Sequence, residues 1–160
     1  IEEYAQRAEF PKQIIKGLGE AGCFGPFVSE KYGGAGLDYT AYGIMMQELE
    51  RGDSGVRSTA SVQGSLVMFP IYKYATEEQK MKWLPRLATG ELMGCFGLTE
   101  PNHGSNPAGM LSNIKEDGPD HVRLNGAKMW ITNAPFADLA VVWAKDEAGD
   151  IRGLVVERGM

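Results

Sequence analysis

The 160 residues suffice for one domain or two small ones, and their 43% hydrophobic content is ordinary for a globular protein. The 16 basic and 21 acidic residues give a net charge of -5, and because a protein that binds a phosphate backbone normally presents a basic face, this composition argues against nucleic-acid binding. The longest apolar runs, such as 139–144, are far shorter than the roughly 20 residues that cross a bilayer, so membrane insertion is not expected.

The first half of the sequence predicts helices joined by glycine-rich loops. Apolar residues at helical spacing follow Pro11, and Gly22 suits the left-handed position just past the end of this first helix. Residues 17–22 match G-x-G-x-x-G, but no strand precedes them, so packing glycines are favoured over a dinucleotide-binding turn. A glycine-rich loop, 26–36, leads to a second helix that ends near Gly52.

The next helix start carries the first candidate site residues. Residues 53–55 break the helical pattern, so Arg57 and Ser58 are expected near the start of a new helix, where an anion is stabilised. From the residues alone, a surface ion pair of Arg57 with Asp53 or Glu50 is favoured over a site for a carboxylate or phosphate.

A capping box at 76–79 predicts the last helix, which runs to Gly90. Pro85 is expected to kink this helix or to begin a fresh turn. The two cysteines, Cys23 and Cys95, are too few for a disulfide framework, so both are expected to be free thiols in a reducing compartment. No signal peptide is found at the first residues, and the sequence is expected to be part of a longer chain.

After Gly90 the pattern changes to strands. Residues 93–98 are short and apolar, and 122–124 alternate toward Asn125-Gly126, which predicts a two-residue hairpin turn into a strand at 128–132. Two further strands, at 139–144 and 153–156, flank a polar turn. The predicted fold class is therefore α+β, with an all-α domain at 1–92 and an antiparallel, barrel-like β-domain at 93–160.

Two segments of the strand half, 94–106 and 130–133, combine hydroxyl groups, aromatic rings and glycines, and we call them the cradle. Aromatic walls, hydroxyl groups and close backbone approach suit a planar heteroaromatic ligand that carries phosphates, such as a flavin dinucleotide. Each residue also has an ordinary interpretation, with Trp130 in a sheet core, Thr132 in a strand and Thr99 capping a turn. The chemistry-bearing residues are Phe96, Gly97, Thr99, Gly104, Ser105, Trp130 and Thr132.

No other chemistry is indicated by the sequence. His103 and His121 have no further ligands at metal-binding spacing, so a metal site is not expected. Ser105 could act as a nucleophile only with a base, and none can be named from the sequence. The cradle therefore predicts ligand binding without an identified acid or base.

These residues resemble the acyl-CoA dehydrogenase family. Phe96–Pro101 with Gly104-Ser105, and Trp130–Asn133, resemble its two flavin signatures, and the resemblance extends along the whole chain. Within the family, Glu48–Gly55 followed by Arg57-Ser58 is similar to glutaryl-CoA dehydrogenases. Asn106 departs from the Asp that is usual in the first signature, and Val56 from the Tyr that relatives often place before Arg-Ser.

The resemblance implies a fold, a cofactor and a set of contacts. It implies a helical N-terminal domain, a middle β-domain and a C-terminal helical bundle that is missing from this sequence, assembled as a homotetramer. It also implies that Ser105 touches the acyl-CoA, and that Arg57, Ser58 and Glu50 bind the distal carboxylate of a glutaryl group. The residues that would contact FAD are Phe96, Gly97, Leu98, Thr99, Gly104, Ser105, Trp130, Ile131 and Thr132.

The implied reaction is the α,β-dehydrogenation of glutaryl-CoA, with electrons passing to an electron-transfer flavoprotein. The catalytic base is expected to be a Glu of the missing bundle, so no catalytic residue is assigned here and these residues alone are expected to be inactive. Decarboxylation to crotonyl-CoA stays open because of Val56. The alternatives are a short-chain acyl-CoA dehydrogenase, an acyl-CoA oxidase, and a non-catalytic module that binds flavin or acyl-CoA. The expected location is the cytoplasm of a bacterium or the mitochondrial matrix of a eukaryote.

Overall fold

The computed structural model describes residues 1–160, and its first half is helical as predicted. The first predicted helix is present and ends before Gly22, whose φ of 70° lies in the left-handed region. A single short 3₁₀ turn, Glu30–Tyr32, interrupts the predicted glycine-rich loop. The α-helices are Glu2–Gln6 (α1), Ile14–Glu20 (α2), Tyr39–Gly52 (α3), Ser54–Ser61 (α4), Phe69–Tyr74 (α5) and Glu77–Ala88 (α6).

The helix that carries Arg57 begins where the sequence predicts. The Asp53 carboxylate accepts a hydrogen bond from the Val56 backbone N–H at 2.8 Å and caps α4. A π-helical segment, Val62–Met68, then connects α4 to α5 without a break in the helical path. This segment carries a buried polar side chain, Gln63, whose exposed fraction is 0%.

The predicted capping box opens α6. Gln79 N–H donates to the Thr76 hydroxyl at 3.3 Å, and the Gln79 side-chain oxygen accepts from Thr76 N–H at 3.0 Å. Pro85 lies inside α6 and does not begin a fresh turn. The side chains on either side of Pro85, Leu84 and Leu87, are both completely buried, and their packing holds the last turn in place.

The second half forms one five-stranded mixed sheet, which corrects the prediction of purely antiparallel strands. The strands are Gly94–Gly97 (β1), Asn113–Glu116 (β2), Val122–Asn125 (β3), Leu139–Lys145 (β4) and Ile151–Glu157 (β5). β4 pairs antiparallel with β5 through seven residue pairs, as the predicted polar turn between them requires. β4 also pairs parallel with β1 and, at one residue pair, with β2, because long connections bring these strands back in the same direction.

The predicted hairpin at Asn125-Gly126 is wrong. β3 pairs antiparallel with the preceding strand, β2, and residues 128–132 form no strand. Gly126 instead lies so close to Ser112 that a Cβ at Gly126 would sit 2.2 Å from the Ser112 hydroxyl oxygen. This close packing turns the chain away from a hairpin and toward the cradle.

One apolar core spans both halves of the chain. Phe24 and Leu84 from the helical half pack in the same cluster as Met93, Leu139 and Val141 from the sheet half. The predicted domain boundary between 92 and 93 therefore stays a proposal. Both cysteines are buried free thiols, as expected. No helix has the length and apolar character needed to cross a membrane.

Candidate functional site

The fold brings the two segments of the cradle together. The Met129 backbone N–H donates to the Thr99 carbonyl oxygen at 2.9 Å, so the middle of the first segment lies beside the start of the second. Phe96 and Gly97 belong to β1, and Leu98 and Thr99 follow directly. The strand ladder thus fixes the position of the first segment, which in turn holds the second.

Trp130 is the most unusual residue of the cradle. Its φ of 61° is rare for a bulky residue and costs conformational energy. Its side chain is 84% exposed, so the interpretation of Trp130 as a sheet-core residue is wrong. A strained, exposed aromatic ring beside Thr99 is a surface suited to contact another flat ring.

The cradle also presents polar groups that the protein itself does not use. No backbone hydrogen bond within the protein uses the N–H groups of Thr99, Gly104, Ser105, Trp130, Ile131 and Thr132. The Thr99, Ser105 and Thr132 hydroxyl groups likewise make no hydrogen bond to protein atoms. Uncharged donors around an aromatic surface match the carbonyl, ring-nitrogen and phosphate acceptors of a flavin dinucleotide, so these residues fit that group.

A buried ion pair that sequence reasoning missed connects the first segment to the residues that lead into the second. The Lys128 ammonium group donates to the Glu100 carboxylate at 2.8 Å and to the Leu98 carbonyl oxygen at 3.1 Å. Burial raises the pKa of Glu100, but hydrogen bonds from Leu111, Lys128 and Ser112 outweigh this effect and lower the pKa to about 2. The available signal was the single charge of Glu100 in an otherwise uncharged stretch, 94–106.

Asn133, also missed as a functional candidate, connects the cradle to the helix that carries Arg57. Its side-chain amide group donates to the Gly94 carbonyl at 3.1 Å and to the Thr59 carbonyl at 3.4 Å. Its side-chain oxygen is buried and has no hydrogen-bond partner. Because Thr59 lies one and two positions after Ser58 and Arg57, the substrate-binding candidates lie near the second segment of the cradle.

Arg57 forms the ion pair that the residues alone favoured, and its partner is Glu50. The Arg57 Nε donates to the Glu50 carboxylate at 2.5 Å, and the Ser54 hydroxyl donates to its other oxygen at 2.5 Å. Hydrogen bonds from Ser54 and then Arg57 lower the pKa of Glu50, with burial acting in the opposite direction. Arg57 Nη1 contacts the Ser61 hydroxyl at 3.5 Å, and Nη2 makes no hydrogen bond within the protein.

Other predicted residues are less tightly held. Gly104 and Ser105 are exposed and follow a turn that two backbone hydrogen bonds between Glu100 and His103 close, and no hydrogen bond connects them to the second segment. Thr132 is exposed, whereas Ser58 is half-buried. No group of three His, Cys, Asp or Glu side chains is placed to hold a metal ion.

Comparison with known proteins identifies the family. The models "Acyl-CoA dehydrogenase, N-terminal domain" and "Acyl-CoA dehydrogenase, middle domain" match residues 1–91 and 95–160. The mitochondrial short-chain specific acyl-CoA dehydrogenase of Bos taurus is 41% identical over 86% of this chain. That alignment covers 33% of the bovine protein, so the chain spans about a third of the relative's length.

Solved structures show the same relationship. A glutaryl-CoA dehydrogenase from Mycobacterium smegmatis in complex with FADH2 is 51% identical, with a TM-score of 0.94, over 99% of this chain and 40% of its own. A structure described as an electron transferring flavoprotein of Acidaminococcus fermentans is 38% identical, with a TM-score of 0.93, over 99% of this chain and 43% of its own. Both family models and the shared fold bear out the resemblance carried by the cradle residues. The chain belongs to the acyl-CoA dehydrogenase family.

Proposed function

We propose that this chain contributes the flavin site and part of the acyl site of an FAD-dependent acyl-CoA dehydrogenase specific for glutaryl-CoA. Bound FAD would accept a hydride from the β-carbon of the thioester, while a base removes the α-proton. No residue of the chain is assigned as that base. The predicted flavin contacts and substrate contacts are the residues that carry this proposal.

The observation that carries the proposal is the exposed, left-handed Trp130 beside the free donors of Thr99. The Trp130 side chain does not serve the fold, because it is 84% exposed and its φ is 61°. The Thr99 N–H takes part in no backbone hydrogen bond within the protein. The cradle would use these groups to hold the ring system of FAD. The FADH2 complex of the mycobacterial glutaryl-CoA dehydrogenase supports this assignment of the cofactor.

The preference for a glutaryl group rests on Arg57. The Ser54 hydroxyl holds the Glu50 carboxylate, and this carboxylate accepts a hydrogen bond from Arg57 Nε. The guanidinium group is therefore oriented, while its Nη2 stays available to a substrate carboxylate. Asn133 places this helix against the second segment of the cradle. The similarity to the mycobacterial glutaryl-CoA dehydrogenase favours this substrate over a plain short acyl chain, which the bovine relative's name would suggest.

The test is anaerobic mixing of the full-length protein with glutaryl-CoA or butyryl-CoA while flavin absorbance is recorded. Glutaryl-CoA is expected to reduce the flavin faster, and Arg57→Ala should lower that preference by about tenfold or more, since a charge-assisted hydrogen bond is lost. Arg51→Ala is the matched control, because Arg51 pairs with Glu48 at 2.9 Å within α3 and is not among the predicted substrate contacts. An unchanged preference in Arg57→Ala would exclude the carboxylate role.

The anaerobic reduction, followed by exposure of the reduced protein to air and by analysis of the products, separates the alternatives. An oxidase would be recognised by rapid reoxidation of the reduced flavin in air, and a non-catalytic module by bound flavin that no acyl-CoA reduces. Faster reduction by butyryl-CoA would favour a short-chain dehydrogenase, and release of carbon dioxide would show decarboxylation.

The proposed partners follow from the same assignment. The electron acceptor is an electron-transfer flavoprotein, and the assembly is a homotetramer. The location would be the cytoplasm or the mitochondrial matrix, since similar proteins come from bacteria and from mitochondria.

A further inference from the structure

Four hydrogen bonds join the first segment of the cradle to residues 128–133, and a single side chain makes two of them. At one end the Asn133 amide donates to the Gly94 carbonyl at 3.1 Å. At the other end, just before Trp130, Met129 N–H donates to the Thr99 carbonyl at 2.9 Å, and the Lys128 ammonium group donates to the Leu98 carbonyl at 3.1 Å and to the Glu100 carboxylate at 2.8 Å. Near Thr99 and Trp130, Lys128 therefore makes two of the three hydrogen bonds that hold the two stretches of chain together.

Glu100 is itself fixed from outside the cradle. One carboxylate oxygen accepts from Leu111 N–H at 2.7 Å, and the other accepts from Ser112 N–H at 2.9 Å. The Ser112 carbonyl oxygen in turn accepts from Lys145 N–H of β4 at 2.9 Å. Lys128 is thus positioned relative to the sheet through the Glu100 carboxylate.

An ion pair is an expensive way to join two segments at this position. The exposed side-chain fractions are 12% for Lys128 and 5% for Glu100, so both charges lose most of their hydration. Apolar residues of similar volume often stabilise a core as well or better. The ion pair instead provides a defined geometry, because an ammonium group that donates to two acceptors fixes Lys128 relative to Leu98 and Glu100.

We propose that Glu100 and Lys128 are positioning residues of the flavin site, which hold Thr99 and Trp130 at the separation that the cofactor requires. Neither side chain would touch the flavin, since Lys128 Nζ is directed at Leu98 and Glu100. The stem of Lys128 packs on Gly97, where an added Cβ would lie 3.4 Å from Lys128 Cγ. This inference rests on the proposed flavin site.

The test compares full-length variants by the dissociation constant for FAD and by the visible absorption spectrum of bound flavin. Lys128→Met removes the charge and keeps the stem, and the double variant Glu100→Gln with Lys128→Met leaves no unpaired charge. Lys128→Arg restores a cation. Glu157→Gln is the matched control, because Glu157 pairs with Lys82 at 2.8 Å and joins α6 to β5 outside the cradle.

The expected result is an FAD dissociation constant raised about tenfold or more in Lys128→Met and in the double variant, with an altered flavin spectrum. Lys128→Arg should recover part of the affinity, and Glu157→Gln should change neither measurement. Wild-type affinity and spectrum in the folded double variant would overturn the proposal. So would loss of the wild-type circular dichroism in both Lys128→Met and the double variant, since the pair would then serve the fold in general. A wild-type protein that binds no FAD would instead refute the flavin site itself.

Discussion

At the scale of single residues, Trp130 has a conformation that does not stabilise the fold but suits the proposed site. A left-handed conformation costs a non-glycine residue roughly 1–2 kcal/mol, and an 84% exposed indole recovers little of that through burial. The neighbouring contact between Met129 and Thr99 and the buried amide of Asn133 hold the segment in this conformation. The strain is therefore maintained by the residues on either side of Trp130.

Trp130→Gly should weaken FAD binding without destabilising the protein. Glycine relieves the strain at φ 61° but has more entropy in the unfolded chain, so the free energy of unfolding should change by less than about 1 kcal/mol. The FAD dissociation constant should rise about tenfold or more, because the flat apolar wall is lost. Urea unfolding and fluorescence titration with FAD measure the two quantities.

Trp130→Phe is the matched control for this prediction, since it keeps a flat ring and the strained backbone. It should retain most of the affinity for FAD. If Trp130→Gly bound FAD as tightly as the wild type, Trp130 would have no part in the cradle.

Local sequence predicts the roles of these individual residues only in part. Thr99 and Trp130 stand out because hydroxyl groups and aromatic rings cluster in short segments. The pair of Glu100 with Lys128 could not be predicted, because its members lie 28 positions apart and only the tertiary fold brings them together. Asn133 belongs to the second flavin motif of the sequence, but its hydrogen bonds to Thr59 and Gly94 depend on how α4 packs against β1.

At the scale of elements, the π-helical segment Val62–Met68 connects the helical half to the sheet. The side-chain amide nitrogen of Gln63 donates to the Leu92 carbonyl at 2.8 Å, and its oxygen accepts from the Gly94 N–H at the start of β1 at 2.8 Å. The amide nitrogen also donates to the Leu87 carbonyl at 2.9 Å. Every hydrogen bond of this buried side chain thus contributes to holding α6 and β1 together.

Gln63→Leu should destabilise the protein by about 3 kcal/mol, because the buried N–H of Gly94 loses its partner. Gln47→Leu is the matched control, since Gln47 is exposed on α3, and it should change stability by less than about 0.5 kcal/mol. The shift of the urea unfolding midpoint of each variant from that of the wild type reports its change in stability. Equal stability of the two variants would mean that water satisfies Gly94 as well as Gln63 does.

Elements were predictable where local contacts determine them. The capping box of α6 and the β4–β5 hairpin depend on residues close in sequence, and both were predicted. The turn at Asn125-Gly126 was predicted wrongly because Gly126 packs against Ser112, a contact that overrides the local hairpin preference. The parallel pairing of β1 with β4 spans more than forty residues, and no local pattern reports it.

At the scale of the whole molecule, the two halves should unfold together, because the core is continuous between them. Leu84 and Leu87 of α6 are completely buried in the same cluster as Leu139 and Val141 of β4. Native-state hydrogen exchange should therefore give the slowest amides of α6 and β4 the same free energy of opening.

A polypeptide of residues 1–92 should lack the cooperative unfolding transition of the 160-residue chain, because Gln63 and the apolar surface of α6 would face water. If the amides of α6 stayed protected from exchange under conditions in which those of β4 had lost their protection, the helical half would be stable by itself. The boundary near residue 92 would then divide two independent domains.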